Sequence, residues 1–226
     1  MSRLTETFAR ARSAGRVAVM PFMTAGYPDL QTSIDLVKAM VAAGADAIEI
    51  GVPFSDPLAD GPTIQKASYQ ALQQGTTPQD AIDMVSSLRR AGVAVPLILM
   101  GYCNTFLAKG EDRFISDAAA AGADGFIIVD LPPEESDGAL ALCRKLGLDL
   151  IYLLAPTSDD RRIAEVLPRA GGFIYCVGVV GVTGARAQLA EELPDFLRRL
   201  RAKTDLPLAV GFGISKRAHV EALKGL

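Results

Sequence analysis

The sequence predicts a single α/β domain folded as a (β/α)8 barrel of the TIM type, and three observations predict it. Short runs rich in Val, Ile and Leu alternate with Ala-rich amphipathic segments, as when parallel strands buried on both faces are joined by helical crossovers. Several connections share one grammar: AAGAD at 42–46, and again at 120–124, ends a helix on Gly, turns on small residues and enters a strand. The β-loop-α unit also repeats without a long polar insert, linker or low-complexity stretch, which favours a closed barrel over an open doubly wound sheet. At 226 residues the chain is close to the ~250 typical of this architecture, so residues 1–226 read as one barrel domain.

In chain order, an extra amphipathic helix near 4–14 precedes the first strand, VAVMPFMT at 17–24, and a helix over 29–43 leads to the second, AIEIG at 47–51. A Pro- and Gly-rich loop opens into an extra helix near 63–73, then a helix over 77–91 and the third strand, PLILMGY at 96–102. Helices at 111–121, 136–146 and 158–170 alternate with the strands GFIIVD at 125–130, DLIYLLA at 149–155 and FIYCVG at 173–178. A helix at 190–202, the strand PLAVGFG at 207–213 and a helix at 216–224 follow. Seven strands are legible, whereas this barrel closes on eight. Strand 8 and helix 8 are therefore expected to be missing from this chain, which would be incomplete at its C-terminus, with strands one and seven left as edges.

Composition excludes several function classes. A net charge of −3 and a pI near 5.3 supply no basic surplus for a nucleic-acid backbone. The apolar runs fall short of the roughly 18 residues that span a bilayer, and the N-terminus MSRLTETFARARSAGR has no apolar stretch resembling a signal peptide. A soluble cytoplasmic protein is expected. Cys103, Cys143 and Cys176 are far apart and outside any CxxC pattern, so neither a disulfide framework nor a zinc site is indicated.

In this fold, chemistry sits at the C-terminal ends of the strands. Glu49 is the first anomaly there: period-two alternation sends Ile48 and Ile50 toward the helices and Glu49 into the barrel. Desolvation of an inward carboxyl raises its pKa toward neutrality, which suits a general acid or base. The alternative is a structural ion pair with a buried cation. The following loop, GVPFSDPLADGPTIQ at 51–65, carries Asp56 and Asp60 above the barrel mouth, and by composition alone Asp60 reads equally as a turn or cap residue. Gly211 and Gly213 end the seventh strand, with Ser215 a candidate N-cap, and their N–H groups are candidates for cradling a phosphate. GVVGVTGAR at 178–186 has the Gly content of a lid, on which Thr183 and Gly184 would meet a ligand while Tyr175, on the strand below, aims a hydroxyl inward.

What is missing narrows the reaction type. The lysines at 38, 66, 109, 145, 203, 216 and 224 all fall in expected helices or loops, which argues against a Schiff base. His219 is the single histidine and is expected at the surface of the last helix, so no histidine metal site can be assembled. Direct acid–base chemistry remains.

The segments PFMTAGYPD (21–29), EIGVPFSDPLADGPTIQ (49–65), GYCN (101–104), DLPPEE (130–135), GVTGAR (181–186) and GFGIS (211–215) resemble the tryptophan synthase alpha subunit family. The resemblance covers the whole chain, and the 49–65 block is long and peculiar in composition. It implies a retro-aldol cleavage of indole-3-glycerol phosphate to indole and glyceraldehyde 3-phosphate in tryptophan biosynthesis, with no cofactor or metal in this subunit. It casts Glu49 as the acid that protonates indole C3 and Asp60 as the partner of the indole N–H. Phe22, Met100, Tyr102, Ile127 and Phe212 would wall the indole pocket, and Gly184 and Gly213 would donate N–H groups to the phosphate. The base for the glycerol hydroxyl is left between Glu49, once deprotonated, and Tyr175 acting through water. A further implication is an αββα heterotetramer with a beta subunit that carries PLP, facing the loop that holds Pro53, Asp56 and Pro57. The rivals are another phosphate-binding barrel, such as an epimerase or an indole-glycerol-phosphate-forming synthase, and a non-enzymatic binding subunit.

Overall fold

A computed structural model describes residues 2–178, 192–211, 214 and 216–222. After α1 (Arg3–Ser13) come β1 (Phe22–Thr24), α2 (Leu30–Ala42), β2 (Ile48–Gly51), α3 (Pro62–Gln73), α4 (Pro78–Arg90) and β3 (Leu97–Gly101). Then follow α5 (Cys103–Leu107), α6 (Glu111–Ala121), β4 (Gly125–Ile128), α7 (Asp137–Leu146), β5 (Asp149–Leu154), α8 (Asp160–Val166), β6 (Ile174–Val177), α9 (Leu193–Arg201), β7 (Leu208–Gly211) and α10 (Arg217–Ala222). The seven described strands form one parallel sheet in sequence order, curled as part of a TIM barrel. Among the described residues no pairing joins β7 back to β1. No helix among them is long and apolar enough to cross a membrane.

Two cores follow from the period of two along each strand. Outward residues such as Ile48, Ile50, Leu97, Leu99, Phe126 and Leu150 pack under the helices with Val37, Val85, Leu88, Phe114 and Leu140. Inward residues Ile98, Met100, Ile127, Ile151 and Tyr175 fill the barrel. α1 closes the floor: Leu4 joins this inner core, and the ring of Phe8 meets that of Phe173 edge-on at 5.4 Å.

The AAGAD repeat does more than turn the chain. Gly44 and Gly122 adopt positive φ (101° and 96°), and the aspartate two residues later holds a backbone N–H just before β1 in one case and at the first residue of β3 in the other. Asp46 accepts from Val19 N at 2.8 Å and from the two terminal guanidinium nitrogens of Arg16, at 2.7 and 2.6 Å. Asp124 accepts from Leu97 N at 2.7 Å, from Arg89 at 2.5 Å and from Arg3. These buried carboxylates thereby tie strand starts to arginines at the end of the barrel opposite the strand C-termini.

The structure corrects several boundaries. The first strand begins at Phe22 rather than 17, and Val17 and Val19 are 53% and 59% exposed. Pro21 has no N–H to give a ladder, and the stretch before it is held by the Asp46 side chain instead. The helix expected over 158–170 is confined to α8, Asp160–Val166. The short α5 and a 3-10 turn at Pro133–Glu135 were not predicted, because three to five residues carry no readable periodicity. His219 is half-buried rather than at the open surface.

Candidate active site

β2 reads Ile-Glu-Ile-Gly, with Ile48 and Ile50 under the helices. Register then sets Glu49 on the inner face between Phe22 of β1 and Ile98 of β3. It is 5% exposed, and among the described residues no cation or hydrogen-bond donor meets its carboxyl. The structural ion pair therefore has no cation to form it among the described residues. Burial alone pushes the Glu49 carboxyl up to about 8, so it holds its proton near neutral pH.

Asp60 is delivered by the loop between β2 and α3. Val52 N donates to Met100 O at 2.8 Å where the loop leaves the sheet, and Asp60 N donates to Pro57 O at 3.0 Å. Gln65, in the first turns of α3, donates from Nε2 to Asp60 O at 3.0 Å. The carboxylate caps no helix, since the N-cap of α3 is Gly61, without a side-chain bond. Instead it turns inward, 8% exposed, and accepts from the Tyr102 hydroxyl at 3.2 Å. Burial raises its pKa, and the Tyr102 hydrogen bond opposes that rise.

The Tyr102 hydroxyl also accepts from Ala59 N at 3.0 Å, and its ring lies 5.2 Å from that of Phe54. Burial and the neighbouring Asp60 carboxylate keep the phenol protonated. Tyr175, buried on β6 in register with Leu153 and Ala209, is raised well above a normal phenol by burial and then by the charges of Glu49 and Asp60. A Cβ at Gly211 would come within 1.9 Å of the Tyr175 hydroxyl oxygen, so Gly211 supplies the space that this side chain occupies.

A cleft at the strand ends is lined by Phe22, Asp60, Met100 and Tyr102, together with Ile64 and Val129. A Cβ at Gly51 would lie 2.3 Å from the Phe22 ring, so that glycine lets the ring lie across β2. Ile127 is buried in the inner core with Met100 and Tyr175 rather than at the lining of the cleft. Thr183, Gly184, Phe212 and Gly213, with most of the 178–186 segment and Ser215, lie outside the described residues. Sequence reasoning missed Ile64, Val129 and the hydroxyl bridge from Tyr102. The one available signal for that bridge was a phenol placed one residue past the β3 glycine.

Glu49 and Tyr175 are buried on the inner face of the strands and do not line this cleft, whereas Asp60 and the Tyr102 hydroxyl do. A buried protonated acid and a carboxylate held by a hydroxyl are groups that can donate a proton to a ring and stabilise the resulting cation. The tryptophan synthase alpha chain family matches residues 8–226. The tryptophan synthase alpha chain of Roseiflexus sp. (strain RS-1) is 55% identical over 220 residues, covering 97% of this chain and 84% of that protein. That of Chloroflexus aurantiacus is 51% identical, covering 97% and 83%. A solved Mycobacterium tuberculosis tryptophan synthase superposes with a TM-score of 0.89 at 39% identity, over 96% of this chain and 83% of that one. The alpha subunit from Legionella pneumophila str. Paris gives 0.85 at 39% identity, over 95% and 79%.

Proposed function

Because the chain belongs to the tryptophan synthase alpha chain family, an enzyme family of tryptophan biosynthesis, we propose that it cleaves indole-3-glycerol phosphate to indole and glyceraldehyde 3-phosphate by acid–base chemistry at Glu49 and Asp60. The observation that carries this reading is the buried Glu49 carboxyl on the inner face of the sheet, which meets no cation or donor among the described residues and is protonated at neutral pH.

Glu49 gives its proton to C3 of the indole ring. The ring becomes an iminium whose N–H faces the Asp60 carboxylate, which stabilises the positive charge. The bond from C3 to the glycerol carbon then breaks, its electron pair returning to the ring to form indole. The adjacent hydroxyl loses its proton and becomes the aldehyde oxygen. Atoms and charge balance without a co-reactant, so no cofactor is required in this subunit. Tyr175 keeps its own proton under the combined effect of burial and two carboxylates. Of the two candidate bases, the Glu49 carboxylate formed in the first step is therefore the better one. Phe22, Met100 and Tyr102, which line the cleft, wall the ring, Gly184, Gly211 and Gly213 take the phosphate, and Thr183 is a further ligand contact.

The indole product passes to a PLP-bearing beta subunit in an αββα assembly, in the cytoplasm. Leu58, 80% exposed in the loop with Pro53, Asp56 and Pro57, is apolar surface suited to that partner. In an indole-release assay, Glu49→Gln should abolish turnover while substrate binding survives. Undiminished turnover by that variant would refute the assignment of the acid.

A further inference from the structure

The Tyr102 hydroxyl makes two hydrogen bonds with opposite roles. It accepts from the Ala59 backbone and donates to Asp60 Oδ2, so one phenol spans consecutive residues of the same loop. The Asp60 backbone is already fixed by Pro57 O on one side and Gln65 on the other, leaving its side-chain torsions as the remaining freedom. Tyr102 is in turn held from three directions. Its ring lies against Phe54, its carbonyl accepts from Thr105 Oγ1 at 2.6 Å, and the preceding Gly101 packs close enough that a Cβ there would sit 3.2 Å from the same Thr105 oxygen. A rigid donor therefore meets a carboxylate with one degree of indecision. Among the described residues nothing donates to the other oxygen, Oδ1.

We infer that Tyr102 is a positioning residue: its hydroxyl occupies Oδ2 of Asp60 and orients the carboxylate so that Oδ1 is presented to a ligand N–H. This rests on the proposed reaction, in which Asp60 faces the indole N–H. A wall residue would contribute only its ring. A positioning residue contributes through its oxygen, and the two roles separate on removing that oxygen alone.

Tyr102→Phe retains the ring against Phe54 and deletes both hydrogen bonds. The side-chain carboxyl of Asp60, followed by 13C NMR in the ligand-free chain, should then titrate at higher pH than in wild type, because the donor that favoured its ionised form is gone. With indole-3-glycerol phosphate, kcat/KM should fall roughly 10- to 100-fold, as for loss of a hydrogen bond to a charged group. The acid limb of its pH profile should move upward with the NMR titration. An unchanged Asp60 titration would overturn the inference, and so would a loss of kcat/KM with a fixed acid limb, which is the signature of a structural defect. If the wild-type chain with its partner does not release indole, the proposed reaction fails, while the NMR titration still decides whether Tyr102 acts on Asp60. Should Tyr102→Phe not fold, 3-fluorotyrosine at position 102 keeps the shape and is a stronger donor. It should lower the Asp60 titration, and no movement would overturn the inference.

Discussion

Glu49→Gln should stabilise the protein relative to wild type by an amount that grows as pH rises, and the size of that difference follows from the burial of the carboxyl. The folded carboxyl titrates at about 8 against a reference near 4.5, and burial is the cause. A raised pKa means that the folded state binds the proton more tightly than the unfolded state does. Relative stability is therefore fully present below about pH 4.5 and is lost as pH climbs toward 8. Each unit of that window is worth about 1.4 kcal/mol. The wild type should lose on the order of 3 kcal/mol between pH 4.5 and 7, and on the order of 5 kcal/mol by pH 8. Glutamine has the same shape and no charge to desolvate, so the variant escapes this term.

The assay is urea or thermal unfolding of both proteins from pH 5 to 9. Near pH 5 the two should differ little. At pH 7 the variant should melt roughly 5–10 °C higher, given the ~2–4 °C per kcal/mol expected for a chain of this size. A stability difference that does not change with pH would refute the claim that Glu49 sits uncompensated in the barrel. The corresponding kinetic outcome is a fall in kcat/KM as pH passes about 8, where the acid loses its proton.

Three other perturbations test the surrounding geometry. Gly51→Ala places a methyl 2.3 Å from the Phe22 ring and should cost about 1–3 kcal/mol in unfolding experiments, with a raised KM as the ring is pushed across the cleft. Gly211→Ala intrudes on the Tyr175 hydroxyl. It should displace that side chain in a crystal structure and lower kcat/KM, and in the double variant with Tyr175→Ala, which removes the ring carbons 2.0 and 2.4 Å away as well as the hydroxyl, the stability loss should be less than the sum of the two single losses. Asp124→Ala leaves the mostly buried Arg89 without its carboxylate partner, and should destabilise the fold by about 3–5 kcal/mol in denaturant titrations without altering the pH profile of catalysis.

Much of the architecture was readable because strand and helix periods differ and because the strands are buried on both faces. The Ile-Glu-Ile alternation in β2 was enough to turn Glu49 inward, and the register with Phe22 and Ile98 agrees. Where a tertiary contact decides, the sequence was silent. Val17 and Val19 have the composition of a strand, yet they lie outside the ladder because Pro21 and the Asp46 side chain, 27 residues from Val19, control that stretch. Asp46 and Asp124 follow the same Gly-Ala pair, but the arginines that meet them come from elsewhere in the chain. The bridge from Tyr102 to Asp60 spans 42 residues and depends on a loop conformation that no local pattern encodes.

The two carboxylates of the site also show why residue type alone could not assign their roles. Both are buried, and burial raises both. Among the described residues nothing offsets the rise at Glu49, which stays protonated near neutral pH, whereas Asp60 accepts a hydrogen bond from a phenol whose own proton is held in place by burial and by the Asp60 charge. Burial that is opposed at one carboxyl and unopposed at the other is a physical basis for giving two similar groups different roles, Glu49 as the acid and Asp60 as the partner of the developing charge. The division of labour also fixes a direction for the pH profile. Activity should rise as Asp60 ionises and fall as Glu49 loses its proton, and exchanging the two residue types, Glu49→Asp with Asp60→Glu, should not preserve it. In that exchange the shorter acid withdraws from the ring, and the longer anion no longer meets the Tyr102 hydroxyl. A double variant with an intact bell-shaped profile would show that side-chain chemistry, and not placement, carries the difference.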